Sequence, residues 1–159
     1  MNIGVIVHTK TGTTLKFGSM AAQKLREAGH AVDVVILETN IPVDGRSLER
    51  NSKFSITNMP DCAKYDAVLI GGPVWAFSAS PVIMKCIKEL GNISGKKALP
   101  FATMGFPFTF MGGRRAIAMM GAEAKKKGAE ILPGKVIPKM FRDQDTLMEK
   151  AASEIQACF

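Results

Sequence analysis

The feature that most constrains the fold is a strict alternation between short apolar runs and segments with helical spacing of apolar residues. The apolar runs have strand length and are almost continuously hydrophobic, as in strands buried on both faces of a sheet. Such an alternation predicts a three-layer α/β domain with a parallel sheet of five strands. The predicted strands cover residues 3 to 7, 31 to 37, 67 to 72, 97 to 104 and 129 to 138, and the predicted helices cover residues 14 to 28, 81 to 90, 114 to 127 and the segment after Asp143.

Two places depart from this simple pattern. Residues 38 to 66 have no sustained period, and because a parallel sheet needs a crossover there, we expect a short helix near residues 60 to 64 that begins close to Asn58. Pro100 stands inside the fourth predicted strand without an N–H for the ladder, so we expect a bulge or a later strand start. The basic residues of the crossover, expected to lie in a solvated loop, are Arg46, Arg50 and Lys53.

Length and composition fit one globular domain spanning residues 1 to 159, since 47% of the residues are hydrophobic and 22% are charged. There is no apolar run of membrane-spanning length and no basic leader, so we expect a cytoplasmic protein without a membrane partner. The cysteines are widely spaced, and we expect free, buried or partly buried thiols at Cys62, Cys86 and Cys158.

The net charge of +7 raises the question of nucleic-acid binding. The basic residues are scattered along the chain, however, and their densest run, residues 125 to 127, falls at the end of a predicted helix. Cations are favourable there because they oppose the negative end of the helix dipole. We therefore expect no nucleic-acid partner.

The stretch HTKTGTT, residues 8 to 14, joins the first predicted strand to the first predicted helix. Ligands of open α/β sheets bind at the carboxyl ends of strands, and a helix that begins there directs free N–H groups at an anion. Gly12 lets a ligand approach the backbone closely. Further donors are the hydroxyl groups of Thr9, Thr11, Thr13 and Thr14. We therefore predict a phosphate site.

Two other glycine-rich loops can be excluded for this stretch. A triphosphate loop needs GxxxxGK[ST] and a dinucleotide loop needs GxGxxG, and neither spacing occurs between Gly4 and Gly18. A monophosphate held by hydroxyl and amide groups remains. The alternative is a threonine-rich turn that only caps the helix through Thr13 or Thr14.

Right-handed crossovers favour the strand order 2-1-3-4-5, which brings the loops after strands one, three and four to one edge of the sheet. The second of these loops contains Trp75, the only tryptophan, and Phe77, which suit a planar heteroaromatic ligand. The third loop is rich in apolar side chains, namely Met104, Phe106, Phe108, Phe110 and Met111. We expect at least two of these phenylalanines to close the core under the loops.

The order T-x-T-G-x-T in residues 9 to 14 resembles the phosphate loop of flavodoxin-like proteins, and the whole chain is similar to the flavodoxin and NAD(P)H:quinone reductase superfamily. The resemblance implies a flavodoxin-like fold with FMN as cofactor and without a catalytic side chain or a metal. It assigns the FMN phosphate to Thr9, Lys10, Thr11, Gly12, Thr13 and Thr14. It assigns the isoalloxazine to the superfamily segment G-[ST]-P-x-[YW], here Pro73, Val74, Trp75, Ala76 and Phe77. By position, the ring site also includes Thr103, Met104, Gly105, Gly112 and Gly113.

The chain departs from typical electron-transfer flavodoxins in two respects. Those proteins place a tyrosine against the flavin from an acidic, cysteine-containing third loop, whereas the only tyrosine here is Tyr65 and the third loop has neither an acid nor a cysteine. They are also acidic, whereas this chain is basic. These departures suggest a less negative flavin potential or an acidic redox partner.

Three functions follow as hypotheses. The first is an FMN-bound electron carrier that serves a redox partner protein. The second is a quinone or flavin reductase that uses NAD(P)H, in which Arg114 or Arg115 meets a nucleotide phosphate and the phenylalanines admit a small quinone. The third is a flavin-free binding domain, which the intact phosphate threonines disfavour.

Overall fold

The computed structural model describes residues 1–45 and 53–159. Two residues of the expected basic loop, Arg46 and Arg50, lie outside the described residues. The helices are α1 (Thr13–Glu27), α2 (Pro81–Glu89), α3 (Gly113–Lys126) and α4 (Gln144–Gln156). The strands are β1 (Asn2–Val7), β2 (Ala31–Ile36), β3 (Ala67–Trp75), β4 (Ser78–Ala79), β5 (Lys97–Met104), β6 (Glu130–Ile131) and β7 (Lys135–Pro138).

The sheet has the strand order β2-β1-β3-β5, with β6 and β7 following one another along the outer side of β5. These strands are parallel, and β4 alone pairs antiparallel, with the end of β3. The predicted order 2-1-3-4-5 is confirmed, because β5 is the fourth predicted strand and β6 and β7 are the two halves of the fifth. The interruption falls at Pro133 and Gly134, as expected from the sequence.

Alternate residues of the central strands enter two different hydrophobic clusters, as they must when both faces of a sheet are covered. Val5 and Leu69 pack in a cluster with residues of α1 and α4, including Phe17 and Ile155. Ile70 packs in the other cluster, with residues of α2 and α3. The predicted three-layer α/β architecture is therefore confirmed.

The crossover between β2 and β3 contains a single short 3-10 turn, Cys62–Lys64, in its described part. This turn lies within the predicted range of residues 60 to 64, but its cap is Asp61 and not Asn58, since the Asp61 carboxylate accepts a hydrogen bond from the N–H of Ala63. The Asn58 side chain instead bonds the backbone at the end of β2. Its carbonyl oxygen accepts from the N–H of Glu38, and its amide nitrogen donates to the backbone carbonyl of Ile36. The side chain therefore closes the crossover against β2.

Pro100 causes no bulge, so this expectation was wrong. β3 and β5 pair in continuous register, with Pro100 beside Ile70. The carbonyl of Ala98 accepts from the N–H of Leu132 on the outer side of β5. Pro100 is two residues further along the strand, so its backbone faces the same side. Its missing N–H therefore falls opposite the break between β6 and β7, where a Cβ on Gly134 would lie 2.9 Å from the Pro100 carbonyl oxygen.

The third predicted strand was expected to end at Gly72 and to continue as a loop, but β3 runs on to Trp75 and forms a hairpin with β4. The turn consists of Ala76 and Phe77, both with left-handed backbone angles, φ 47° and 62°. Two left-handed residues form the hairpin turn that matches the twist of its strands. The hairpin extends beyond the carboxyl edge of the sheet, where the predicted site lies.

Candidate functional site

The loop after β1 leaves the start of α1 open. The N-cap is Gly12, with φ 93°, and no side chain bonds the N–H groups of the first turn. The Gly12 N–H itself donates to the Thr9 hydroxyl oxygen at 3.0 Å. The alternative of a simple capping turn through Thr13 or Thr14 is therefore wrong. The free N–H groups and the positive end of the α1 dipole remain available to an anion.

Thr14 and Thr103 bind each other, which joins the first loop to the end of β5. Their hydroxyl oxygens lie 2.6 Å apart, and both side chains are almost completely buried. Since each hydroxyl already has a partner, this pair fixes the spacing of the two loops. Lys10 extends from the same loop towards the Val43 carbonyl, 3.5 Å away.

His8 connects the first loop to the hairpin, a role that the sequence did not suggest. Its Nδ1 lies 2.8 Å from the Ser80 hydroxyl, which also accepts the N–H of Ile83 as the cap of α2. Its ring meets the Trp75 ring edge to face, with centroids 5.1 Å apart. Burial, and to a smaller extent the charge of Lys10, lower the pKa of His8 to about 4. The ring is thus a neutral spacer at neutral pH.

Trp75 and Phe77 differ in their surroundings. Trp75 is half-buried against the core at the end of β3, and a Cβ on Gly45 would lie 3.2 Å from its indole ring. Phe77 occupies the hairpin turn and is 52% exposed. Gly112 and Gly113 are buried beside this region, and a Cβ on Gly112 would come within 2.6 Å of the Phe77 Cα. These glycines therefore allow the start of α3 to pack against the hairpin.

Two adjoining clefts lie between these loops. The polar cleft, about 220 Å³, is lined by Thr11, Thr13, Pro73, Trp75, Thr103 and Gln144, and the apolar cleft, about 590 Å³, is lined by Ala76, Phe77, Phe106, Met111 and Met140. Both clefts are also lined by Val74, Met104, Gly105 and Lys139. Together they have the size and the mixed chemistry of a cofactor site.

The phenylalanines of the third loop are on the surface. Phe106, Phe108 and Phe110 are between 44% and 69% exposed, so the expectation that at least two of them close the core was wrong. Phe106 stacks on Phe77 with centroids 5.6 Å apart, and Phe108 stacks on Phe110 at 5.4 Å. We call these four side chains the aromatic rim. The Arg142 guanidinium lies 5.7 Å from the centroid of the Phe108 ring, which adds a positive charge to the rim.

Sequence reasoning missed the segment between β7 and α4. Lys139 lines both clefts, and Gln144 contributes to the polar cleft from the first turn of α4. The amide nitrogen of Gln144 is the one buried side-chain polar atom without a hydrogen-bond partner among residues 1–45 and 53–159. Tyr65, in contrast, packs over Gly4 at the amino end of β3 and donates to Asp33, so it takes no part in the site.

The three loops meet at the switch point between β1 and β3, which defines a ligand-binding α/β protein of the doubly wound kind. A family model described as flavodoxin matches residues 17–142, and the chain belongs to the flavodoxin family. The match begins just after the TKTGTT loop, so the assignment of that loop depends on its own residues and geometry. Comparison with curated proteins gave no match.

Several solved structures similar to this chain are flavodoxins. Oxidised flavodoxin 2 from Bacillus cereus is 16% identical over 100% of both chains, with a TM-score of 0.69. The flavodoxin of Streptococcus pneumoniae TIGR4 is 17% identical over 100% of both chains, with a TM-score of 0.66. Two-electron reduced Megasphaera elsdenii flavodoxin is 18% identical over 96% of this chain and 98% of its own, with a TM-score of 0.63. At these identities the likeness establishes the flavodoxin-like fold.

Flavodoxins bind FMN, and the residues present here fit that cofactor. The uncapped start of α1 and the hydroxyls of Thr11 and Thr13 suit a phosphate. The adjoining apolar cleft suits a flat ring, and Gln144, whose amide nitrogen is unpartnered, lines the polar cleft. Within the described residues no helix is long and apolar enough to cross a membrane, and no cluster of potential metal ligands occurs.

Proposed function

We propose that this flavodoxin binds FMN across the two clefts and carries electrons between proteins. The observation that supports this most strongly is the continuity of a polar cleft at the open start of α1 with an apolar cleft under the hairpin. FMN needs both environments, since its phosphate is doubly charged and its ring is largely apolar. When bound, FMN supplies the electron-accepting and electron-donating chemistry.

The chain itself would hold and orient the cofactor. The phosphate would be held by the backbone N–H groups of the first turn of α1 and by the hydroxyls of Thr9, Thr11 and Thr13, with Lys10 nearby as a cation. Thr14 and Thr103 would keep the first and third loops at a fixed spacing through their mutual hydrogen bond. The ring would lie between the hairpin and the Met104–Gly105 backbone, where Trp75 and Val74 limit access of water.

The ionisable groups near the clefts suit a protein that leaves the chemistry to its cofactor. His8 is neutral at physiological pH because burial lowers its pKa to about 4. The thiols of Cys62 and Cys86 are buried in the core and line neither cleft, and burial raises their pKa to about 11 and about 12. Binding, orientation and electrostatics are then the protein's contribution.

We also propose an acidic redox partner. The aromatic rim offers an exposed apolar surface beside the apolar cleft, and Lys139 and Arg142 provide positive charge around it. The whole chain carries a net charge of +7, which would steer acidic surfaces towards it. The same positive charge would favour the negative charge that the ring gains on reduction, and so a less negative potential.

A kinetic comparison tests the carrier function. Protein loaded with FMN is mixed with NADH or NADPH, with and without a quinone, and the flavin absorbance is followed. We expect slow bleaching and no sustained turnover, whereas the chemically reduced protein should pass electrons rapidly to an acidic acceptor protein. That transfer should slow with added salt, because the charges are screened. Rapid NAD(P)H-dependent quinone reduction would show a reductase instead, and faster transfer to a basic acceptor would contradict the acidic partner.

A further inference from the structure

We propose that Gln144 is a cofactor-binding residue, which donates a hydrogen bond from its amide to an oxygen of the ribityl phosphate arm of FMN. The proposal rests on the function proposed above. Neither the phosphate-loop motif nor the ring segments of the sequence include this residue. Gln144 belongs to a fourth wall of the site, formed by the segment after β7 and the first turn of α4.

The first argument is the state of the amide nitrogen. It is buried from solvent, and no atom of the described residues accepts a hydrogen bond from it. An amide N–H without a partner is costly in a protein interior, and such groups are almost always satisfied. The exception occurs in the wall of the polar cleft, where the hydroxyls of Thr11 and Thr13 also lie. Because the nitrogen itself is covered, the amide would turn towards the cleft to donate to an acceptor oxygen of a ligand bound there.

The second argument is that local structure does not need the Gln144 side chain. The start of α4 is already capped by Asp143, whose carboxylate accepts the N–H of Thr146 at 3.2 Å and its hydroxyl at 2.7 Å. These bonds fix the first turn of α4 and hence the position of the Gln144 backbone. The backbone of Gln144 is therefore held beside the cleft by its neighbours, and its amide nitrogen has no bond to give up before it binds a ligand.

The third argument is the charge beside it. Lys139 lines the polar cleft together with Gln144 and also lines the apolar cleft. An ammonium group and an amide donor in one wall suit an anionic ligand rich in acceptor oxygens. A phosphate ester with a hydroxylated chain has this chemistry, whereas an apolar ligand would leave the amide unpaired.

The same helix provides a matched control. Gln156 lies at the other end of α4, and its amide donates to the carbonyl of Lys24 at 2.9 Å, which ties α4 to α1. Both glutamines are partly buried, so that Gln→Met at either position keeps a similar volume and removes only the amide. One amide is partnered within the protein and the other is not.

The test compares Gln144→Met with Gln156→Met in two measurements: urea unfolding of the cofactor-free protein, and titration with FMN followed by flavin fluorescence. We expect Gln144→Met to leave the stability of the cofactor-free protein unchanged or higher, and to raise the Kd for FMN about tenfold. Gln156→Met should lower the stability and leave the Kd for FMN unchanged.

Two results would overturn the proposal. Wild-type affinity of Gln144→Met for FMN would mean that the amide is satisfied by water only. A loss of stability equal to that of Gln156→Met would mean that the amide has a partner within the protein. If the wild-type protein itself binds no FMN, the function proposed above fails, and this outcome is distinct because it appears before any variant is compared.

Discussion

Lowering the pH from 6.5 to about 4 should destabilise the cofactor-free protein by roughly 3 kcal/mol through His8 alone. The unfolded chain takes up a proton on this ring below its ordinary pKa of 6.5, whereas the folded chain resists protonation until about 4. The unfolded state therefore binds more protons within this window. The contribution of neutral His8 to the free energy of unfolding is fully present above pH 6.5, and it is lost as the pH falls from 6.5 to about 4.

Urea unfolding at a series of pH values measures the slope of the free energy of unfolding against pH, with His8→Gln as the comparison. Carboxylates with lowered pKa, such as Asp33 and Glu154, lose their contribution only below their ordinary values of 3.8 and 4.5. The range from pH 6.5 to 5 is therefore the informative one. His8→Gln should flatten the slope there, because glutamine does not titrate. Equal slopes in the two proteins would contradict a buried, neutral His8.

Gly112→Ala should be the most damaging small substitution at the site. The backbone at this position has φ 107°, which a side chain rarely adopts, and a Cβ would lie 2.6 Å from the Phe77 Cα. Backbone strain and overpacking together should lower the free energy of unfolding by about 3 kcal/mol or more. FMN affinity should fall as well, because the clash displaces the hairpin that carries Val74 and Phe77.

Gly29→Ala is the matched control for this substitution. Gly29 follows α1 with φ 91°, but a Cβ there has no atom within 4 Å. Only the backbone strain remains, about 1 to 2 kcal/mol, and FMN binding should not change. Urea unfolding and FMN titration of both variants check the prediction. Equal losses of stability, or unchanged FMN affinity of Gly112→Ala, would show that the hairpin does not depend on this close approach.

The fold could be predicted from the sequence because each element carries its own local signal. Ser80 and Pro81 start α2 as expected, since a serine cap followed by proline has few other uses. The break in the fifth predicted strand at Pro133 and Gly134 was predicted from an equally local signal. Pro100 was misjudged because a proline in a strand is compatible with full pairing when the neighbouring strand is broken opposite it, and that is a property of two distant segments.

The site could be predicted less well from the sequence, because its features depend on packing between loops. The hairpin turn was missed since Ala76 and Phe77 occupy left-handed positions where glycine or asparagine is the usual signal. At least two of the third-loop phenylalanines, Phe106, Phe108 and Phe110, were expected inside because of their type, yet all three lie at the surface. Gln144 carried no signal at all, since an amide becomes informative only when its burial and its lack of a partner are known.

The TKTGTT loop carries the main prediction at the level of function, and the structure gives its geometry. Gly12 is the N-cap and Thr9 bonds the Gly12 N–H, so the first turn of α1 stays free of side-chain caps. The combination of an open helix start with a polar cleft is what a monophosphate requires. The central claim is thus that the phosphate of FMN contributes directly to its binding.

The most direct measurement is a titration of the cofactor-free protein with FMN and with riboflavin, followed by flavin fluorescence. We expect one FMN to bind per chain. Riboflavin should bind at least about a hundredfold more weakly, because it lacks the phosphate that the free N–H groups and hydroxyls would hold. Equal affinities for FMN and riboflavin, or binding of neither, would contradict the account.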